Sequence, residues 1–238
     1  MKKLFIVFLI LSGVGFAGLY YSWRQATHLP EWYSPQSNNT QNVFDPSNSS
    51  ERLATQARLQ EKIEARMAKA QEISPDKNVE IELSNTEVNE LVTTTIAQEA
   101  SKRPVLATVR TNHTTIKDGV LESGAVVNLD NLPRNQLNES ELAALDKVQK
   151  IFPFLNEQDV YVGIAGKPQI EMGQVKWDSN TKVKLGNLSL SLNELSQRLG
   201  IPAEQLEQTL NLSLPLGSLK VNDMELTNDK LLLKGSVE

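Results

Sequence analysis

The chain has no cysteine. That excludes disulfides, thiolate nucleophiles, Cys-ligated zinc and iron–sulfur clusters, and also a bacterial lipoprotein anchor, which needs a Cys to acylate. Histidine is nearly absent too: His28 and His113 are the only two among 238 residues. No HExxH or related ligand spacing exists, and no G-x-S-x-G elbow accompanies a triad, so zinc hydrolase and serine hydrolase chemistry find no support. There is no excess of positive charge. With a net charge of -5 and a pI near 5.3, the chain lacks the basic face of a nucleic-acid binder. Gly-rich phosphate loops are missing as well. What it does have is enough apolar content, 39%, to fill a core.

One long uncharged run stands out. Leu4–Tyr21 (LFIVFLILSGVGFAGLYY) follows Lys2 and Lys3, and it approaches the ~20 residues that a helix needs to cross a bilayer. The lysines before it predict a cytoplasmic N-terminus and an extracytoplasmic remainder, a single-pass arrangement. Leu4, Phe5, Ile6, Val7, Phe8, Leu9, Ile10 and Leu11 form the hydrophobic heart of this anchor, assigned to residues 1–24. Tyr20, Tyr21 and Trp23, with Trp32 and Tyr33, read as an aromatic belt at the outer interface. A cleaved signal peptide is the alternative, with Gly15-Phe16-Ala17 as its small-residue site. Apolar character beyond Ala17 favours the uncleaved anchor, and either reading exports the rest of the chain.

Residues 25–50, rich in Asn, Ser and Gln with Pro35 and Pro46, read as a flexible polar tether. Residues 51–74 read as a helix with Leu59, Ile63 and Met67 at i, i+4 and i+8. This narrow stripe suits a stalk, a weak coiled coil or a helix laid on the domain. The extracytoplasmic domain, 75–238, is expected to be α+β: a curved antiparallel sheet of hairpins packed by amphipathic helices. Val79, Ile81 and Leu83 alternate as a half-buried strand, and Ser84-Asn85-Thr86-Glu87 is a capping box. Val88, Leu91, Val92 and Ile96 line one face of the helix that it opens. Lys117-Asp118-Gly119 separates strands 105–116 and 120–129, a strong hairpin signal. A helix over 139–151 carries Leu142, Leu145, Val148 and Ile151.

Further hairpins follow. Val160, Val162 and Ile164 alternate, 170–177 pairs around Met172-Gly173, and Val183, Leu185, Leu188 and Leu190 continue the sheet. Ser191-Leu192-Asn193-Glu194 is a second capping box, its helix ends at Leu199-Gly200, and Pro202 starts another through Leu210. A last hairpin joins 221–226 to 231–235. The two capping boxes and their hairpins suggest two related strand–helix–hairpin units, although restricted turn chemistry produces such likeness without duplication.

Little in this pattern is chemical. His113 fits an exposed strand position. Ser74–Lys77 and Ser179–Lys182 match Ser-x-x-Lys, but neither serine opens a helix and no S-D-N or K-T-G accompanies them. Asp118, Asp178 and Asp229 sit in turns where Asp is ordinary, and Asp223 in mid-strand asks for a bulge or an exposed face. No catalytic residue, metal or cofactor is expected. The apolar faces Val88, Leu91, Val92, Ile96 and Leu142, Leu145, Val148 form either a closed core or a groove for an apolar ligand.

The order of motifs resembles a known family. The anchor, the L-S-x-x-E-ϕ-N-E-L run of 83–91, T-I-K-D-G-V-L-E-S-G at 115–124 and V-Y-V-G-I-A-G-K-P at 160–168 carry the likeness. So do I-E-M-G-Q-V at 170–175 and L-G-N-L-S-L-S-L-N-E-L at 185–195. Over about residues 75–238 the chain is similar to the YpmS-like family of membrane-anchored extracytoplasmic bacterial proteins. That resemblance implies an envelope protein without an assigned enzymatic activity. A fainter likeness in layout, to bacterial lipid-binding tubular domains, motivates a ligand. The functional expectation is a membrane-tethered binding domain for a lipid or other apolar envelope molecule. The alternative is a non-catalytic assembly protein that contacts a membrane protein complex.

Overall fold

Polar turns and alternating apolar residues divide most of the chain into antiparallel hairpins. The computed structural model describes residues 24–33, 49–73, 78–100, 106, 108–153, 158–171, 174–178, 180–210, 216 and 218–237. In chain order the elements begin with α1 (Ser49–Ile73), β1 (Asn78–Ser84), α2 (Asn85–Glu99), β2 (Val109–Lys117), β3 (Val120–Val127) and α3 (Glu139–Ile151). They continue with β4 (Val160–Gly166), β5 (Pro168–Glu171), β6 (Gln174–Trp177), β7 (Lys182–Leu185) and β8 (Leu188–Ser191). The last are α4 (Leu192–Leu199), α5 (Ala203–Leu210), β9 (Leu219–Leu226) and β10 (Lys230–Val237). The fold is α+β with antiparallel sheets.

The strands do not form one continuous sheet. β1, β10 and β9 make a three-stranded sheet; β2, β3, β4, β7 and β8 make a five-stranded one, and β5–β6 is a separate hairpin. Two physical causes keep them apart. Pro168 opens β5 without an N–H to give to a ladder, and the hairpin leaves the sheet of β4 at that point. The outer edge of β2 is already taken by α2. Asn85 accepts from the Ile116 N–H at 2.6 Å and donates to its carbonyl at 3.3 Å, while Asn89 accepts from the Thr114 N–H at 2.7 Å. Asparagines four residues apart on a helix thus imitate a neighbouring strand and close an edge that would otherwise invite pairing.

The two strand–helix–hairpin units are interlocked. β1 of the first pairs with hairpin β9–β10 of the second, and β8 of the second lies in the sheet that holds hairpin β2–β3 of the first. Asp118 and Gly119, at φ 54° and 68°, supply the left-handed turn that the β2–β3 hairpin requires. The ladder of β9 and β10 shifts register at Lys234/Gly235, leaving Asn222 as the extra residue next to Asp223, which is exposed. A bulge accounts for an aspartate in mid-strand.

Two apolar clusters share one face of the five-stranded sheet. The larger joins Ile116 and Leu121 to Ile81, Leu83, Leu231 and Leu233 of the three-stranded sheet and to Val175 and Trp177 of the small hairpin. Leu59, Ile63 and Met67 of α1 are buried in it, so α1 is a helix laid on the domain rather than a stalk. Burial of three such side chains contributes roughly 1.5–3 kcal/mol each before ordering costs. The second cluster gathers Val160, Leu185 and Leu190 beneath α3, α4 and α5, through Phe152, Val148, Leu195, Leu199 and Leu206.

Candidate functional site: a strap across the five-stranded sheet

The opposite face of the five-stranded sheet is polar and unusually low. Register places His113, Gly124, Gly163 and Lys184 in one row across β2, β3, β4 and β7. The two glycines leave a trough, and the ring of Tyr161 lies in it: a Cβ on either would overlap that ring. Tyr161 donates its hydroxyl to Glu122 Oε1 at 3.1 Å, and Lys184 Nζ donates to Glu122 Oε2 at 2.6 Å. Burial, the nearby Glu122 charge and their hydrogen bond all push the Tyr161 hydroxyl up, so it stays protonated and donating.

Residues 24–33 cross this face as a strap. Ala26 is fully buried, and the Asn187 N–H donates to the Gln25 carbonyl at 2.8 Å. Gly186, at φ 56° in the β7–β8 turn, lies so close to the Gln25 and Ala26 backbone that any side chain would collide with it. Farther along, Trp32 tilts over His113 at 5.1 Å between ring centroids and meets Tyr161 edge-on at 6.0 Å. Tyr33 ends the strap by donating to Asp159 Oδ2 at 2.7 Å. Asp159 is held in turn by Arg110 at 2.7 Å and by Asn128 at 2.9 Å. Burial, the Asp159 hydrogen bond and its charge push the Tyr33 phenol up to about 12, against the pull of Arg110.

Between strap and sheet lies a cleft of about 230 Å³ lined by Pro30, Trp32, Glu122, Tyr161, Lys184, Gly186 and Asn187. This is smaller than the ~300–1,000 Å³ of sites that enclose a drug-sized molecule. It suits one ring or one polar headgroup. Its charges cancel within the Glu122–Lys184 pair, and Trp32, Tyr161 and Pro30 supply its apolar lining. A second cleft, of about 580 Å³, runs between α1 and β1, but Arg66, Glu87, Glu82 and Lys230 fill its walls with paired charges.

Comparison with known proteins gives no matching family model, no matching curated protein and no matching solved structure.

The anchor residues Leu4, Phe5, Ile6, Val7, Phe8, Leu9, Ile10, Leu11, Tyr20, Tyr21 and Trp23 lie outside the described residues. Among the described residues no helix is long and apolar enough to cross a membrane. Trp32 and Tyr33, read as an interfacial belt, contact the domain, and the first ten residues of the expected tether region are mostly strap. The reason is specific partners, the trough for Trp32 and Asp159 for Tyr33, that composition does not reveal. The expected tether residues 34–48 also lie outside the description, as do Ser74 and Ser179.

The proposed apolar faces pack in part into the two cores. Val88 and Leu91 are buried in the larger cluster, Val92 and Ile96 are half-buried, and Val148 packs on the smaller cluster. Leu142 and Leu145 are half-buried on α3, and none of these seven lines the strap cleft. His113 is exposed on its strand, yet forms the support for Trp32. No cluster of potential metal ligands occurs among the described residues. Glu122, Tyr161, Lys184 and Asn187 carried no signal of their own in the sequence. The glycines did: Gly124 and Gly163, inside strands, mark a place where something approaches closely.

Proposed function

We propose that the chain is a membrane-tethered extracytoplasmic binding domain, without catalytic activity, that engages the polar headgroup of an amphipathic envelope molecule. The observation that carries this reading is the aromatic, charge-balanced cleft formed by the strap immediately after the apolar N-terminal run. Trp32 is 39% exposed despite its contacts, so its ring offers a stacking surface beside the cleft. Asn187, Glu122 and Lys184 supply donors and acceptors around it, and a neutral hydroxyl-rich headgroup fits that mixture better than a free anion. Of the helix faces that suggested an acyl groove, Val88, Leu91 and Val148 pack into the two cores and none of the seven residues lines the cleft, so the apolar part of the ligand stays in the bilayer. The family resemblance and the anchor support the extracytoplasmic placement.

The assembly reading needs a broad apolar surface. Among the described residues the exposed large hydrophobics are Trp32, Leu53 and Val120, on the strap, α1 and β3. They do not share an element, so headgroup binding is the better-supported function.

Native mass spectrometry of the full chain, extracted from its own membrane in mild detergent, tests this. A retained lipid adduct is expected in the wild type and is expected to be lost in Trp32→Ala with Lys184→Ala. A wild type that carries no adduct, or a variant that keeps it undiminished, overturns the proposal.

A further inference from the structure

The strap begins where the apolar run stops, and this has a geometric result. Only Ser22 and Trp23 separate Tyr21 from Arg24. Three extended residues span at most about 10 Å, and the five from Tyr21 to Ala26 at most about 18 Å. Ala26 is already buried against the β7–β8 turn, and Asn187 holds the Gln25 carbonyl. The polar segment 34–48 joins the strap to α1, so its length adds nothing to the distance between membrane and domain.

We infer that the strap fixes the posture of the domain: the Gly186–Asn187 end of the five-stranded sheet abuts the lipid headgroups, and the Lys117–Gly119 hairpin points away. The inference rests on the membrane-tethered reading above and deepens it. The partner surface is the bilayer that holds the anchor. The direction follows from register. The Gly186 N–H donates to the Tyr161 carbonyl at 2.8 Å, and Tyr161 lies opposite Val126, near the end of β3. The β2–β3 turn is at the other end of β3, whose eight residues span about 25 Å. A free tether over 25–50 would instead let the domain turn in any direction, at reaches up to roughly 90 Å. The strap therefore replaces a flexible leash with a short, directed connection. It also brings the cleft beside Asn187 to headgroup depth, where a lipid headgroup enters without leaving its leaflet.

Because the wild type has no cysteine, single labels are unambiguous. Asn187→Cys and Lys117→Cys are placed in the full chain, labelled with a donor fluorophore and reconstituted in phosphatidylcholine vesicles with an acceptor on the headgroups. Both positions are exposed, so the substitutions spare the core. The expected result is a several-fold higher transfer efficiency from position 187 than from 117. Tyr33→Phe, which removes the Asp159 hydrogen bond, and Gly186→Ala, which crowds the strap, are each expected to narrow that ratio. Near-UV circular dichroism identifies a Gly186→Ala protein that has lost its fold, and Tyr33→Phe then carries the comparison. Protein that floats with the vesicles but gives equal transfer from both positions overturns the posture alone. Protein that does not float overturns the membrane reading and the posture with it.

Discussion

Ser-x-x-Glu opens two helices of this protein, and the two copies are locally almost the same. At α2 the Glu87 N–H donates to Ser84 Oγ at 3.4 Å and the Ser84 N–H to Glu87 Oε2 at 3.0 Å. At α4 the corresponding bonds, Glu194 to Ser191 and back, measure 3.1 and 2.7 Å. The second box is the tighter, yet it stands at the surface. Glu87 is only 7% exposed, and Arg66 of α1 grips it with both guanidinium nitrogens at 2.8 and 3.1 Å, with Lys62 at 3.7 Å. Arg66 also donates to the Glu82 carbonyl at 2.6 Å, so one side chain ties α1 to β1 and α2 at once. A capping motif specifies where a helix starts. How much it stabilises the fold is decided by what later packs on it.

Removal of each glutamate separates the two boxes. Glu87→Ala deletes a cap and leaves a guanidinium without its carboxylate at the α1 interface. Loss of one partner of a well-buried pair costs ~3–5 kcal/mol, and Arg66 is 41% exposed, so about 2–3 kcal/mol is expected. A urea midpoint for the detergent-solubilised full chain measures it. A loss below about 1 kcal/mol would mean that Leu59, Ile63 and Met67, with the Arg58–Glu90 pair and the Arg66 bond to the Glu82 carbonyl, hold α1 without Glu87.

Acidity gives the next largest contrast. Burial by itself raises the Glu87 carboxyl, but the hydrogen bonds from Arg66 and Ser84, together with the Arg66 charge, outweigh it and hold the group below its usual range. A depressed carboxylate adds stability that is fully present above the unfolded value, about 4.5, and is lost as the pH falls through the lower folded value. Wild-type protein is therefore expected to weaken through that acid window, and Glu87→Gln to show a flatter slope there. Parallel slopes in pH-resolved melting would assign the acid sensitivity to other carboxylates.

Much of the fold is legible from local chemistry. The β1 alternation, the Asp118-Gly119 turn, both Ser-x-x-Glu boxes and the bulge or exposed face that Asp223 asks for each depend on a few neighbouring residues. The stripe of Leu59, Ile63 and Met67 is legible as well, but not the surface that covers it, because a period of 3.6 residues names a face and no partner. Sheet membership is harder still. β1 meets β10 across most of the domain, and no pattern within β1 says so. The site is the least legible part. Tyr33 and Asp159 are 126 residues apart, and Ala26 is buried only because Gly186 makes room for it. Small residues at Gly124 and Gly163 were the local trace of that approach. The asparagines at the β2 edge were hidden for a different reason: on a helix, Asn85 and Asn89 look like ordinary solvent-facing residues until a strand needs their amides.

Glu194→Ala completes the comparison from the other side. Hydrogen bonds from the Ser191 backbone and side chain come first in holding the Glu194 carboxyl below its usual range, and Lys182 and Arg198 add a little through their charges. All of this happens in water. α4 still has Leu192 and Leu199 buried and a left-handed Gly200 to end it. The expected outcome is a small downward shift of the urea midpoint, less than that of Glu87→Ala, with unchanged near-UV signal. If Glu194→Ala proved as damaging as Glu87→Ala, the energy would reside in the four-residue motif itself, and the Arg66 grip would be incidental. A third box sharpens the result: Asn138 and Glu141 of α3 close reciprocally at 3.0 and 2.9 Å, also at the surface. Glu141→Ala should then behave like Glu194→Ala, because exposure rather than bond length sets the rank.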